Sequence, residues 1–136
     1  MGYDIHITRR QEWYDDDGPE ILLVEWLAYV EADSEMRLDG YAEAKLPSGS
    51  VLHTVDPSLA VWIAHPNHGK SDGMAWIWHS RGNIQSKNPD DKMLQKMWRI
   101  SRALGAKVQG DECELYDRNG AVIREVDAAV TVRSSN

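Results

Sequence analysis

The chain has 136 residues, of which 42% are hydrophobic and 27% are charged, and its net charge is −7 at pH 7. This length suits one globular domain whose core is large enough to fold without disulfides or a metal. We expect a single domain over residues 1–132 and a frayed tail over residues 133–136. The single cysteine, Cys113, excludes an internal disulfide framework and a multi-cysteine metal site.

The negative charge is concentrated near the amino end. The first 35 residues hold ten acidic side chains and two basic ones, so this segment carries a net charge of −8. Such a field attracts a basic partner and argues against nucleic-acid binding. No apolar run approaches the roughly 20 residues that span a bilayer, and the first ten residues lack the pattern of a signal peptide. We therefore expect a cytoplasmic protein with no membrane partner.

The chain is predicted to begin with a strand and a helix. Residues 3–8 alternate between polar and apolar side chains, as a strand does, and residues 15–19 form a turn cluster. A helix follows, because large apolar side chains then recur at helical spacing, with Glu25 and Glu31 on the opposite side. The apolar set is Leu22, Leu23, Trp26, Leu27 and Val30.

The middle of the chain is predicted to form strands. Residues 38–46 and 50–55 flank the turn Pro47-Ser48-Gly49, which is typical of a hairpin. Residues 59–64 and 74–78 are apolar runs, expected as central strands. Arg81-Gly82-Asn83 predicts a tight turn that leads to another short strand.

A second helix is indicated by Asn88 as its cap, Pro89 at its first position and acidic residues in its first turn. Its buried side chains are predicted to be Met93, Met97, Ile100 and Leu104. Short strands follow, with Asn119-Gly120 at a hairpin turn. The order of elements predicts an α+β fold, a single mainly antiparallel β-sheet with two α-helices packed on it.

The strongest functional signal is the acidic surface. Trp13 and Tyr14 lie within the acidic stretch, in a loop that offers neither ring an obvious place for burial. Carboxylates around a large aromatic anchor favour a docking site for a basic protein, and a merely solubilising face is the alternative. The predicted partner-binding residues are Trp13, Tyr14, Asp15, Asp16, Asp17, Glu20, Glu25 and Glu31.

A second signal is the histidine group His65, His68 and His79. Three imidazoles with an open coordination position suit a divalent metal, which predicts a small metal-dependent hydrolase as an alternative function. The His-x-x-His spacing lies in a polar loop rather than on a helix, and loop polarity alone also accounts for it. The leading interpretation requires no cofactor.

No catalytic residue is predicted. Asp4 and His6 share one face of the first strand and could serve acid–base chemistry, but a solvated sheet surface is the commoner outcome. Cys113 lies between two glutamates whose charge disfavours a thiolate, so we expect it to be an unreactive strand residue.

Three tryptophans form the last group. Trp76 and Trp78 have the same parity and should project from one face of the sheet, with Trp62 on a neighbouring strand. Exposed, they would stack on a sugar or another small ligand. Buried, they would pack beneath a helix, and their apolar neighbours favour burial.

The opening segment MGYDIHITR (residues 1–9) resembles the start of a family of short bacterial proteins without an assigned activity. Residues 25–27 (EWL), 36–41 (MRLDGY) and 103–111 (ALGAKVQGD) extend the resemblance over most of the chain. The resemblance implies no catalytic residue. In size, charge and class, the chain is also similar to immunity proteins, which block secreted bacterial toxins.

The sequence thus predicts a binding module, an immunity-type protein whose acidic amino-terminal surface occludes a basic toxin domain by steric and electrostatic contact. The alternatives are the metal-dependent hydrolase and a small-ligand or carbohydrate binder lined by tryptophans. The sequence does not fix the oligomeric state.

Overall fold

In a computed structural model, the residues described are 3–66, 68 and 75–123. They include two helices, α1 (Leu23–Ala32) and α2 (Asp91–Ala103). The strands of this part of the chain are β1 (Asp4–Thr8), β2 (Met36–Leu38), β3 (Tyr41–Lys45), β4 (Val51–Val55), β5 (Ala60–Trp62), β6 (Trp76–Ser80), β7 (Asn83–Lys87), β8 (Lys107–Gly110), β9 (Leu115–Tyr116) and β10 (Val122–Ile123). The predicted tail, residues 133–136, lies outside the described residues.

Most of the strands form one eight-stranded sheet in the order β10-β9-β8-β1-β7-β6-β5-β2, and β3 and β4 form a separate two-stranded sheet. The neighbouring strands are paired antiparallel. The predicted α+β class, a mainly antiparallel sheet with two helices, is confirmed.

The side chains of the central strand β1 point alternately to the two faces of the sheet. Ile5 and Ile7 point to one face, where Ile7 lies opposite Ile84 of β7 and Val108 of β8. These four side chains are at most 2% exposed. The buried side chains of both helices join the same hydrophobic cluster, so both helices cover this face. Asp4, His6 and Thr8 point to the opposite face.

Helix α2 is amphipathic, as predicted, but it begins later than its sequence indicates. Met93, Met97 and Ile100 are buried. The N-cap is Asp90, whose carboxylate accepts a hydrogen bond from the backbone N–H of Met93 at 2.9 Å. Asn88 is not the cap, because its side-chain oxygen accepts instead from the backbone N–H of Tyr3.

Helix α1 buries only part of its predicted apolar face. Trp26 and Val30 enter the core, but Leu22 and Leu23 are 53% and 41% exposed. Ile21, just before the helix, is fully buried and occupies the core in this region.

Glycines set two of the turns. β6 and β7 are joined by Arg81 and Gly82, both with positive φ (54° and 82°), which is the two-residue turn that matches strand twist. The predicted strand over residues 38–46 is divided, because Gly40 has φ +78° and separates β2 from β3.

A buried ion pair links the two helices. The side chain of Lys96 on α2 is 4% exposed, and its Nζ lies 2.7 Å from Asp33 and 2.9 Å from Glu35, just after α1. Two of the ten acidic side chains among the first 35 residues are thus paired within the fold. The hydrogen bonds from Lys96 and Trp62 lower the pKa of Glu35.

Candidate functional site

The polar face of the sheet is covered by the segment between β1 and α1. Alternation of side chains along β1 directs His6 and Thr8 away from the hydrophobic core. They are nevertheless only 3% and 0% exposed. Two buried side chains hold this segment on the sheet. Gln109 of β8 accepts a hydrogen bond from the backbone N–H of Trp13 at 2.7 Å, and Asn83 of β7 donates to the Trp13 carbonyl at 2.8 Å. The segment between β1 and α1, called the acidic loop below, is therefore attached to β8 and β7, the strands on the two sides of β1.

Trp13 lies on His6. The two rings are stacked, with centroids 3.9 Å apart and planes 4° from parallel. His6 Nε2 donates to Asp111 Oδ1 at 2.8 Å, and the other oxygen of Asp111 accepts from the backbone N–H of Asp4. The carboxylate partner of His6 is thus Asp111, and not Asp4 as the shared strand face suggested.

Beside this stack lies a cleft of about 770 Å³. Its lining comes from β1, the acidic loop, the end of β6, the tight turn and β7. The lining residues are Asp4, His6, Arg10, Trp13, Tyr14, Asp15, Asp16, Glu20, His79, Ser80, Arg81, Gly82, Asn83 and Gln85. Five of the eight predicted partner-binding residues lie in this list.

The cleft has an excess of negative charge. Four carboxylates line it, from Asp4, Asp15, Asp16 and Glu20, against two guanidinium groups. Asp15 also accepts a hydrogen bond from the backbone N–H of Glu12. The cleft therefore attracts cationic groups.

Arg10 is built into the wall of the cleft. It is 6% exposed, and its Nη1 donates to the Arg81 carbonyl at 2.9 Å. Its Nη2 lies 3.8 Å from Glu20, so that carboxylate balances part of its charge. A Cβ added to Gly82 would lie 2.8 Å from Arg10 Nη2 and 2.9 Å from Glu20 Cγ. The glycine lets both side chains approach the turn closely.

Three polar atoms on the cleft-lining residues lack a hydrogen-bond partner in the described part of the chain. They are Arg10 Nε, Trp13 Nε1 and Asn83 Oδ1. Asn83 is 4% exposed. Buried polar groups are usually paired, since an unpaired one costs about 1–3 kcal/mol. These three atoms have almost no accessible surface, so they are buried behind the lining and are not open to a ligand in the cleft.

Trp13 and Tyr14 differ in exposure. Trp13 is half-buried on His6, whereas Tyr14 is 58% exposed and meets the Trp13 ring edge-on at 5.4 Å. The adjacent Cys113 and Glu12 raise the pKa of Tyr14 because nearby negative charge disfavours the phenolate. Tyr14 therefore stays neutral, and its exposed side chain lines the cleft.

The remaining predicted partner-binding residues lie outside the cleft lining. Glu25 forms a two-pronged ion pair with Arg9, with both N–O distances at 2.9 Å. The hydrogen bonds from Arg9 and from the backbone of Leu22 lower the pKa of Glu25 to about 2. Asp17 and Glu31 are exposed, on the loop and on α1 respectively.

The predicted metal residues have separate hydrogen bonds. His65 Nε2 lies 2.7 Å from Asp90, and His79 Nε2 donates to the Ile21 carbonyl at 2.6 Å. His68 follows in the next turn, where its backbone N–H bonds to the His65 carbonyl. Among the residues described, no group of three or more His, Cys, Asp or Glu side chains is placed to hold a metal ion. The metal site stays a prediction, without support from this geometry.

The tryptophan group is mostly internal. Trp62 is 5% exposed, and its Nε1 donates to Glu35 at 3.1 Å. Trp76 and Trp78 are half-buried on β6. The three rings are therefore not exposed together as a surface on which a sugar could stack. The carbohydrate-binding alternative stays a prediction, without support from this geometry.

Cys113 lies in a turn and not in a strand, with φ +70° between β8 and β9. Burial and the neighbouring Glu12 raise the pKa of its thiol. Both effects oppose the thiolate that a nucleophile needs, as the flanking glutamates suggested.

Sequence reasoning missed Asp4, Arg10, Asn83 and Gln85 as parts of one site. Strand alternation places Asp4 on the face away from the core, and the tight-turn signal places Asn83 at the start of a strand. The missing information was the strand order, because β1 and β7 are neighbours only in the folded sheet.

Comparison with protein-family models found no match, and neither did comparison with curated proteins or with solved structures. No helix in the described part of the chain is both long enough and apolar enough to cross a membrane.

Proposed function

We propose that this chain is a binding protein that receives a basic partner protein at the acidic cleft beside Trp13 and Tyr14. The observation that carries the proposal is the cleft itself, which is lined by four carboxylates and an exposed tyrosine. Carboxylates at such a site steer a basic partner, and the aromatic residue supplies contact area.

The finer proposal is an immunity-type role, in which this surface occludes a basic toxin domain. It is supported by the small size and the negative charge. His6 is covered by Trp13 and engaged by Asp111, an arrangement that suits a rigid wall better than a proton-transfer group facing substrate. The family resemblance stays a prediction.

The charge can be tested with matched variants. The double variant Asp16→Asn/Glu20→Gln removes two cleft charges, of which that of Glu20 faces Arg10 at 3.8 Å. Glu31→Gln/Glu112→Gln removes two charges from exposed positions outside the cleft lining. The two variants have the same net charge, so they separate a local effect from a general one.

The experiment is affinity capture from a lysate of the source organism, at low and at physiological ionic strength. We expect a basic protein to bind the wild type and the Glu31/Glu112 variant, and to be lost with the cleft variant. Co-expression should then show that the wild type suppresses the toxicity of the captured protein. Equal capture by both variants, or no basic protein at either ionic strength, would contradict the proposal.

A further inference from the structure

We propose that strand β4 is an interface between two copies of this chain, which pair antiparallel along their β4 edges about a two-fold axis at His53. The β3–β4 hairpins (residues 41–55) of the two copies then form one four-stranded sheet. The inference goes beyond the proposed function, because none of the described residues of the hairpin lines the acidic cleft.

The hairpin lacks support within a single copy. Among the described residues, β3 and β4 pair only with each other, and none of the described side chains of either strand belongs to the hydrophobic cluster. All five residues of β4 are exposed. An isolated two-stranded hairpin is marginally stable in water, and a third strand or a packed face normally stabilises it. An added strand would supply that support.

The outer edge of β4 has backbone groups that can bond a further strand. The N–H of Asp56 donates to the Gly40 carbonyl at 3.0 Å, and the N–H of Leu46 donates to the Ser50 carbonyl at 2.8 Å. Bonded pairs alternate along an antiparallel ladder, so every second residue of β4 turns its N–H and C=O groups to the outer edge. These residues are Val51, His53 and Val55.

The β4 edge also lacks the features that usually protect an exposed edge strand. Charged side chains, above all lysine, and proline discourage the addition of a second strand. β3 carries Glu43 and Lys45, whereas the sequence of β4, VLHTV, has no acidic residue, lysine, arginine or proline. Val51 and Val55 are instead 58% and 70% exposed on the same face of the strand. Exposed apolar side chains on such an edge favour strand pairing.

A second copy of β4 complements this edge. With the two-fold axis at His53, Val51 of each copy lies opposite Val55 of the other, and each outward N–H meets an outward carbonyl. Apolar pairs directly opposite each other stabilise a sheet. The same full overlap of two β3 strands would place Glu43 opposite its own counterpart, and like charges in that position are destabilising. The β4 edge is therefore the self-complementary one.

Charge favours a second copy at the hairpin. The whole chain carries −7 and its first 35 residues carry −8, so two copies repel each other through their acidic sides. Residues 41–55 hold one acidic and one basic side chain, Glu43 and Lys45, and are neutral overall. Two hairpins can therefore meet without repulsion, whereas a strand from a basic partner would gain no ion pair from β4.

The test is sedimentation velocity of the intact chain over a range of concentrations. A pairing of two five-residue strands buries less than the roughly 1,200 Å² of a stable complex, so we expect a weak dimer with a dissociation constant on the order of 100 µM. The average mass should rise from 15.4 kDa toward twice that value as the concentration rises.

Two charge variants test the register. Val51→Glu and Val55→Lys each place a charge opposite a valine of the second copy, and each should weaken the dimer by about tenfold or more. The double variant Val51→Glu/Val55→Lys places opposite charges across the interface and should restore dimerisation. The two positions are about 13 Å apart along one strand, so the new charges do not pair within one copy.

The matched control is Val24→Glu, which introduces the same charge at a valine that is 66% exposed on α1. This variant should dimerise as the wild type does.

A mass that stays at 15.4 kDa up to about 1 mM, well above the expected dissociation constant, would overturn the inference. A dimer that both single variants leave unchanged, or that Val24→Glu also abolishes, would overturn it as well. So would a double variant that stays monomeric, because β4 would then not pair about His53. The measurement uses no partner protein, so none of these results bears on the proposed function.

Discussion

At the scale of single residues, Gly82 leaves the space that the side chains of Arg10 and Glu20 need in the wall of the cleft. It has φ +82°, and a Cβ there would meet both Arg10 and Glu20 closely. Gly40 has a similar φ, +78°, but has no other atom within 4 Å of its would-be Cβ. The two glycines therefore form a matched pair that separates backbone strain from crowding.

We predict that Gly40→Ala lowers the free energy of unfolding by about 1 kcal/mol, through the positive φ alone. Gly82→Ala should cost about 1 kcal/mol more, because Arg10 and Glu20 must move away. Urea denaturation of both variants measures the difference. Equal losses would show that the turn does not constrain these side chains.

Glu25 gives a residue-scale prediction about pH. Its pKa is lowered to about 2 from 4.5, chiefly by the hydrogen bond from Arg9. A lowered carboxyl pKa in the folded state means that the ion pair stabilises the protein fully above about pH 4.5. This contribution is lost as the pH falls toward 2.

We therefore predict that Glu25→Gln is less stable than the wild type at pH 7, and that the difference shrinks steadily between pH 4.5 and 2. Chemical denaturation across this range measures it. Glu31→Gln, on the exposed side of the same helix, should differ little from the wild type at any pH. A difference for Glu25→Gln that is unchanged at pH 2 would contradict the assigned role of Arg9.

At the scale of the elements, Lys96 connects α2 to the segment after α1. Its charge is buried against Asp33 and Glu35. Removing one partner of a buried ion pair leaves the other uncompensated, at a cost of about 3 kcal/mol. We predict a loss of this size for Lys96→Met.

A double-mutant cycle with Asp33→Asn checks that the loss comes from the ion pair. The double variant should be more stable than the sum of the two single effects predicts, by more than about 0.5 kcal/mol. Additive effects would mean that Lys96 contributes through packing, for instance against Trp62, which lies 6.0 Å from its Nζ.

The elements also show what the sequence could predict. The α+β class, the amphipathic face of α2 and the hairpin at Gly82 follow from local patterns, and all are present. The start of α2 could not be predicted, because Asn88 and Asp90 are both good caps and only the contact of Asn88 with Tyr3 decides between them. The exposure of Leu22 and Leu23 could not be predicted, because helical spacing identifies an apolar face but not how much of that face reaches the core.

The candidate site was predictable only in part. Tyr14, Asp15, Asp16 and Glu20 were expected in a partner surface and do line one cleft. Arg10 and Asn83 were not expected there, since the pairing of β1 with β7 brings together residues about 70 positions apart in sequence. Such long-range pairing is not encoded in any local pattern.

At the scale of the whole molecule, the fold separates seven of its ten amino-terminal carboxylates into two groups. Asp33, Glu35 and Glu25 are paired with Lys96 and Arg9 inside or on the fold. Asp15, Asp16 and Glu20, with Asp4, gather at one cleft. The negative charge of the first 35 residues is thereby concentrated on one side of the sheet, where a basic partner would meet it.

The most direct measurement is site-specific photo-crosslinking in the source organism. A benzophenone-bearing phenylalanine analogue replaces Tyr14, which is 58% exposed at the cleft, or Val55, which is 70% exposed on β4. We predict that the Tyr14 position yields a covalent adduct with a basic protein, and that Asp16→Asn/Glu20→Gln removes it. No adduct from position 14, or the same adduct from position 55, would contradict it.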